Sequence, residues 1–210
     1  MPTSLRRRTL IAAALLGLSG VTAAQQHSHD KPFEKIPPQP QPAGKIEIIE
    51  FFQYGCGHCS KFEPVMAEWK KKQAGDIVVR RVPVAFDNAR VPHVRIFYTL
   101  EALNLVDKLH AKVFEAVIEQ RLPMTNTSEI ADFMEGQGVN RRQWLDNFGS
   151  FMVSQKTMAA TQIWRSYQVD GTPAVGVAGK FLTAPFMAGS NEATIKIMND
   201  LVAQERAARK

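Results

Sequence analysis

The chain reads as an α/β fold in the order β-α-β, a long helical insertion, then β-β-α. Three observations carry that reading. An apolar strand candidate runs into a Cys-Gly-His-Cys tetrapeptide that opens an amphipathic helix, and a second strand candidate follows. Residues 88–168 then read as mostly helical. After Gly171-Thr172-Pro173 the pattern returns to two short strands and a terminal helix.

The first element is one to set aside. Arg6, Arg7 and Arg8 make a positive start, Leu10 to Leu18 is an unbroken apolar and glycine run, and small residues follow. Residues 1–24 read as a secretory signal peptide, too short for a membrane span, with Val21-Thr22-Ala23 and Thr22-Ala23-Ala24 both acceptable as cleavage sites. The general secretory route fits better than the twin-arginine route, because Thr9 stands where a bulky hydrophobic residue is expected. Removing residues 1–24 takes away three arginines and no acid, so the formal charge falls from +6 to +3. That mild excess points to no nucleic acid, and the basic tail Arg206 to Lys210 reads as a solvated helix end.

Residues 25–44 read as a polar leader and a stiff Pro-rich lead-in, Pro37 to Pro42. A chain cleaved after Ala24 would begin Gln25-Gln26-His27, whose amine, amides and imidazole could form a square-planar copper(II) or nickel(II) site. The competing reading is a leader whose histidines do nothing.

Residues 45–87 form the first half of the core. Lys45 to Gln53 is apolar on both faces, as a buried central strand should be. Phe62, Val65, Met66 and Trp69 recur at helical spacing after it. Pro64 falls inside that helix and should kink it. Ile77 to Val84 is the next strand candidate. In the insertion, 88–168, helices are expected over Val91 to Leu105, Asp107 to Gln120 and Phe151 to Tyr167. Asn126 with Glu129 and Asn140 with Gln143 look like capping pairs. Residues 169–210 give a strand at Ala174 to Ala178, a Gly179-Lys180 turn, a short strand at Phe181–Leu182, and a helix from about Asn191.

The two cysteines, Cys56 and Cys59, lie in one tetrapeptide. A bridge across two residues closes too small a loop to staple a fold, and a zinc site needs about four ligands. Redox chemistry suits the spacing. At a helix start, free N–H groups and the positive dipole end stabilise a thiolate. Cys56 is therefore expected as the attacking sulfur of lowered pKa, and Cys59, one turn in, as the buried resolving thiol. His58 can support the Cys56 thiolate by charge and hydrogen bonding. Glu50 shares a strand face with Ile46, Ile48 and Phe52. It reads either as a proton acceptor that helps deprotonate Cys59, or as a strand-end acid that reaches water or a lysine. His93 and His110 read as surface or packing residues.

Together these features resemble the DsbA family, exported thioredoxin-fold oxidases with a helical domain inserted between the two halves of the fold. Glu50-Phe51-Phe52 leading into Cys56-Gly57-His58-Cys59, the Gly171-Thr172-Pro173 turn and the size of the insertion carry the resemblance. It implies that Pro173 is a cis-proline facing the cysteines, with the Thr172 backbone open to a client peptide. From the residues alone, an ordinary trans proline ending a loop fits as well. It also implies that Pro185, Phe186 and Met187, in the apolar loop Leu182 to Ala188, flank a peptide groove; packing against the terminal helix is the alternative.

The implied activity is a periplasmic thiol:disulfide oxidoreductase, working as a monomer without a cofactor. It would pass its disulfide to newly exported, unfolded proteins and be reoxidised by a DsbB-type membrane quinone reductase. Gly57 departs from the proline many family members carry there. Cys-Gly-His-Cys is associated with isomerases, whose sites are less oxidising, so an isomerase, a reductase or a client-specific enzyme are the alternatives. A copper protein using Cys56, His58 and Cys59 is the remote one.

Overall fold

The computed structural model describes residues 31–209. Its strands are β1 (Phe33–Lys35), β2 (Ile46–Phe52), β3 (Ile77–Pro83), β4 (Ala174–Val177) and β5 (Phe181–Thr183). Helix α1 (Gly57–Lys71) joins β2 to β3. Helices α2 (Val91–Ala102), α3 (Val106–Ile118), α4 (Thr127–Gly136), α5 (Arg141–Phe148) and α6 (Phe151–Ser166) fill the interval between β3 and β4. The single turn α7 (Pro185–Ala188) and the long α8 (Asn191–Ala208) close the chain.

The strands form one sheet in the order β1-β5-β4-β2-β3. β2 runs parallel to β3 and antiparallel to β4, and β5 is antiparallel to both β4 and β1. All seven residues of β2 are buried, which explains its apolar character on both faces: a central strand covered above and below has no solvent side. One face packs Ile46, Ile48, Val175 and Val177 against Phe62, Met66 and Trp69 of α1 and Met198, Leu201 and Val202 of α8. The other packs Ile49 and Phe51 into a larger core with the inserted helices. Tyr167, at the end of α6, packs closely against Gly176. A Cβ there would fall 2.4 Å from its ring, so only glycine lets the helix approach this closely.

The helix boundaries follow local chemistry. Asn126 accepts from the N–H groups of Ser128 and Glu129, Asn140 from Gln143, and Ser150 from Val153, each satisfying N–H groups that have no partner in the first turn. The expected helix from Val91 to Leu105 ends sooner, at Ala102, because Asn104 turns to φ 55° and starts a new direction. Helix α1 continues through Pro64. The turn between β4 and β5 uses two residues of positive φ, Ala178 and Gly179, as a tight hairpin requires.

Three features depart from the sequence expectations. The stretch read as a leader contains β1, which pairs Phe33 with Thr183 and Lys35 with Phe181. The Thr183 hydroxyl donates to the Pro32 carbonyl at 2.7 Å, and the Ile36 N–H donates to Lys180 O at 2.9 Å. Arg206, assigned to a solvated tail, instead makes a bidentate pair with Asp76 at 2.7 and 2.8 Å, tying α8 to the start of β3. The apolar loop before α8 is not a loop throughout: β5 extends to Thr183 and α7 follows. The signal peptide and the Gln25-Gln26-His27 site lie outside the described residues. Among the described residues no helix is long and apolar enough to cross a membrane.

Candidate active site

The chain emerges from the C-terminal end of β2 and enters α1 at Cys56. That residue is the N-cap, extended at φ −104° and ψ 110°, with its sulfur in the place a capping oxygen takes elsewhere. Its Sγ accepts from the Cys59 N–H at 3.2 Å, and as a thiol donates to the Thr172 carbonyl at 3.3 Å. Thr172 precedes a cis peptide bond to Pro173. The turn after α6 therefore faces the cysteines, although 116 residues separate Thr172 from Cys56.

The two thiols are driven apart in acidity. The Cys59 thiol, by hydrogen bonding to the Cys56 sulfur, does most to lower the pKa of Cys56 to about 6, against the opposing effect of burial. The Cys59 N–H, the Thr172 side chain and the His58 N–H add to it. Cys59 is 1% exposed, and burial first, then the neighbouring Cys56, pushes its pKa far above the ordinary thiol range. One sulfur is half-buried and ready to ionise, and the other is held as a thiol. The His58 imidazole is exposed, and among the described residues it makes no hydrogen bond to Cys56; what His58 offers the sulfur is its backbone N–H. Gly57 occupies the first helical position, and a Cβ there would meet nothing within 4 Å.

Glu50 is enclosed, 2% exposed, and its ion-pair partner is an arginine. Arg81, its register partner on β3, donates to it at 3.1 Å and to Glu63 of α1 at 2.6 Å. One guanidinium thus stands between two carboxylates. Desolvation first, then repulsion from Glu63, raises the Glu50 pKa to about 8, with Arg81 pulling the other way. The network continues. His110 lies 3.3 Å from Glu63, and its Nδ1 is 2.7 Å from the Tyr54 hydroxyl. Burial holds the His110 pKa below the usual imidazole value and that of Tyr54 above the usual phenol value. The His110 ring sits among Phe52, Phe97 and Phe114, and the Tyr54 ring against Phe52 and Phe114. Glu63 lies four residues after Cys59, on the same side of α1. A cavity of about 450 Å³, lined by Glu63, Lys70, Arg81, Asp107 and His110 among others, opens onto the cluster.

The other named residues divide. The Phe186 ring lies over Gly171, 3.3 Å from where a Cβ would be, and so beside the Thr172 turn. Pro185 starts α7, half-buried, while Met187 is 8% exposed and belongs to the main core. His93 is buried and bonded to the Pro123 carbonyl at 2.9 Å. Arg81, Glu63 and Tyr54 were not singled out from the sequence. Their signal was the pairing of two acids in β2, Glu47 and Glu50, with two arginines in β3, Arg80 and Arg81, which only the strand register could reveal. Among the described residues no cluster of three His, Cys, Asp or Glu side chains is arranged to hold a metal ion.

The model of the DSBA-like thioredoxin domain matches residues 47–193. The chain belongs to that family. It is 37% identical over 205 residues to a thiol:disulfide interchange protein DsbA of Burkholderia cepacia, covering 94% of this chain and 97% of the relative. A protein of the same name from Pseudomonas aeruginosa PAO1 is 34% identical over 210 residues, covering 97% and 99%. The crystal structure of Pseudomonas aeruginosa DsbA superposes with a TM-score of 0.83 at 34% identity, over 85% of this chain and 94% of that one. This DsbA-like protein is accordingly a disulfide-donating thiol:disulfide oxidoreductase with the DsbA-like thioredoxin fold.

Proposed function

We propose that the chain oxidises newly exported, unfolded proteins in the periplasm, working as a monomer, with residues 1–24 as its export signal. The observation that carries the reading is the Cys56 sulfur at the N-cap of α1, 3.2 Å from the Cys59 N–H and more accessible than its buried partner.

In the proposed reaction a client thiolate attacks Cys56 Sγ of the oxidised enzyme. The Cys56–Cys59 bond breaks, Cys59 leaves with the electron pair, and a mixed disulfide joins Cys56 to the client. A second client thiolate then attacks the client sulfur of that bond. Cys56 leaves as a thiolate, which the N–H groups of α1 stabilise. The client loses two electrons and the enzyme gains them. Glu50, whose carboxylate once ionised binds a proton more tightly than an ordinary one, would in that ionised form act through the Arg81–Glu63 cluster as the group that takes the Cys59 proton on reoxidation. Pro173 and Thr172 would hold the client backbone as an added strand, with Phe186 and Pro185 as an apolar wall. A DsbB-type membrane quinone reductase would restore the disulfide.

The Cys-Gly-His-Cys sequence favours one second reading, an isomerase. Equilibration with glutathione separates the two. A potential near that of strong oxidants, about −120 mV, supports the donor reading, and one near −180 mV or below supports the isomerase. An oxidised enzyme that fails to oxidise an unfolded dithiol protein stoichiometrically would sink the proposal.

A further inference from the structure

The loop leaving β3 carries a cation that the dithiol chemistry does not use. Residues 88–90 form a single 3-10 turn, capped by Asp87, whose carboxylate accepts the Arg90 N–H at 3.1 Å. The turn lays the Arg90 guanidinium across Gly55, the residue before Cys56. A Cβ on Gly55 would fall 2.7 Å from Nη1 and 3.0 Å from Cζ, so the guanidinium occupies the space where a side chain would stand. Among the described residues this guanidinium has no hydrogen bond and no ion pair. Asp87 is on the same turn, but its carboxylate is engaged with the backbone. The buried arginine of the cluster behind Cys59, Arg81, holds two carboxylates, and Arg80 and Arg206 each hold one. Arg90 is half-buried over the residue that precedes Cys56, with none.

A guanidinium offers five donors in a planar fork that matches a carboxylate in geometry and charge. Partly withdrawn from water, it gains from any acceptor brought to it. The only molecules that must approach Gly55-Cys56 during turnover are those whose sulfur joins Cys56. We infer that Arg90 is a specificity-determining residue, reading a carboxylate within one or two residues of the client cysteine. The inference rests on the dithiol-oxidase reading above. Charge beside the bond under attack sets which clients are engaged faster, as complementary charges do at other encounter surfaces.

The test uses the oxidised mature protein and two dithiol peptides identical except for glutamates or lysines beside the cysteines. Rate constants for disulfide transfer are measured for the unaltered enzyme and for Arg90→Ala, Arg90→Lys and Arg90→Glu. The ratio of acidic to basic peptide is the readout, so a general loss of activity in any variant cancels. The unaltered enzyme should prefer the acidic peptide by about three- to tenfold at low salt and lose most of that preference at high salt. Arg90→Lys should keep part of it, Arg90→Ala should bring the ratio close to one, and Arg90→Glu should invert it. An unaltered enzyme that oxidises dithiothreitol but does not discriminate between the peptides overturns the inference alone, as does a ratio unchanged in Arg90→Glu. An enzyme that oxidises neither dithiothreitol nor peptide overturns the oxidase reading with it.

Discussion

Cys56 and Cys59 share a helical turn and a chemistry, yet their surroundings give them opposite tasks. The Cys59 thiol, two backbone N–H groups at the helix start and the Thr172 side chain favour the anion of Cys56, while Cys59 is sealed among apolar residues. Replacing Cys56 with serine should abolish dithiol oxidation. Replacing Cys59 with serine should leave a Cys56 that captures clients as long-lived mixed disulfides, visible on non-reducing gels. The opposite trapping pattern would reverse the assigned roles. Gly57 is open to a stricter test. Cys56 is extended, which a following proline requires, and a side chain at position 57 meets nothing. The first helical position also needs no N–H of its own. Gly57→Pro should therefore fit without rearrangement and stiffen the helix start that stabilises the thiolate. We expect it to make the protein more oxidising in glutathione equilibration; an unchanged or more negative potential would show that this dipeptide does not control the redox balance.

At the scale of elements, most of the sheet and nearly all the helices were legible because each had a local signature: β2 its double-sided apolar run, α1 its three- and four-residue spacing, α4 and α5 their asparagine caps. β1 was not legible, since Phe33–Lys35 is too short to show alternation and exists only because β5 offers an open edge. The redox cysteines and the Thr172–Pro173 turn could be named from their motifs. The cluster behind them could not, since Glu50, Glu63, Arg81, His110 and Tyr54 come from five elements and loops that meet only after folding. That cluster makes a definite statement about pH. A carboxyl whose folded pKa is raised, here from 4.5 to about 8, is a growing liability between those values, since the folded state resists losing its proton. Glu63, Arg81 and Lys70 all bear on it. Glu50→Gln should thus match the natural protein in stability near pH 4 and exceed it above pH 8, by up to about 5 kcal/mol from the usual conversion of pKa shifts. The same variant should reoxidise more slowly and lose any inflection near pH 8. Urea melts at the two pH values decide the first point; a variant equally destabilised at both would mean that Glu50 serves as an ion-pair partner and not as a proton store.

For the molecule as a whole, the dithiol site makes redox state and folding stability a single quantity. The Cys56–Cys59 bridge closes so short a loop that it constrains the unfolded chain little. Reducing it therefore removes little stabilisation from the fold. It also creates a Cys56 thiolate that the folded protein favours and the unfolded chain does not. The direction follows from the pKa values. The folded value is near 6 and the unfolded one near 8.5, so the contribution is complete above the unfolded value. It diminishes as pH falls and is gone below the folded value. Cys59 stays protonated throughout and adds no charge to the interior. The reduced protein should accordingly melt at a higher temperature than the oxidised one at pH 8. The gap should narrow at pH 7 and close near pH 5. A thermodynamic cycle then requires that the disulfide be transferred readily, because whatever stabilises the reduced fold also drives the oxidised enzyme to give its bond away. Melting curves with and without reductant across this range are the measurement. An oxidised form that is the more stable at pH 8 would rule out a strong disulfide donor, and a gap independent of pH would show that the Cys56 thiolate is not its source.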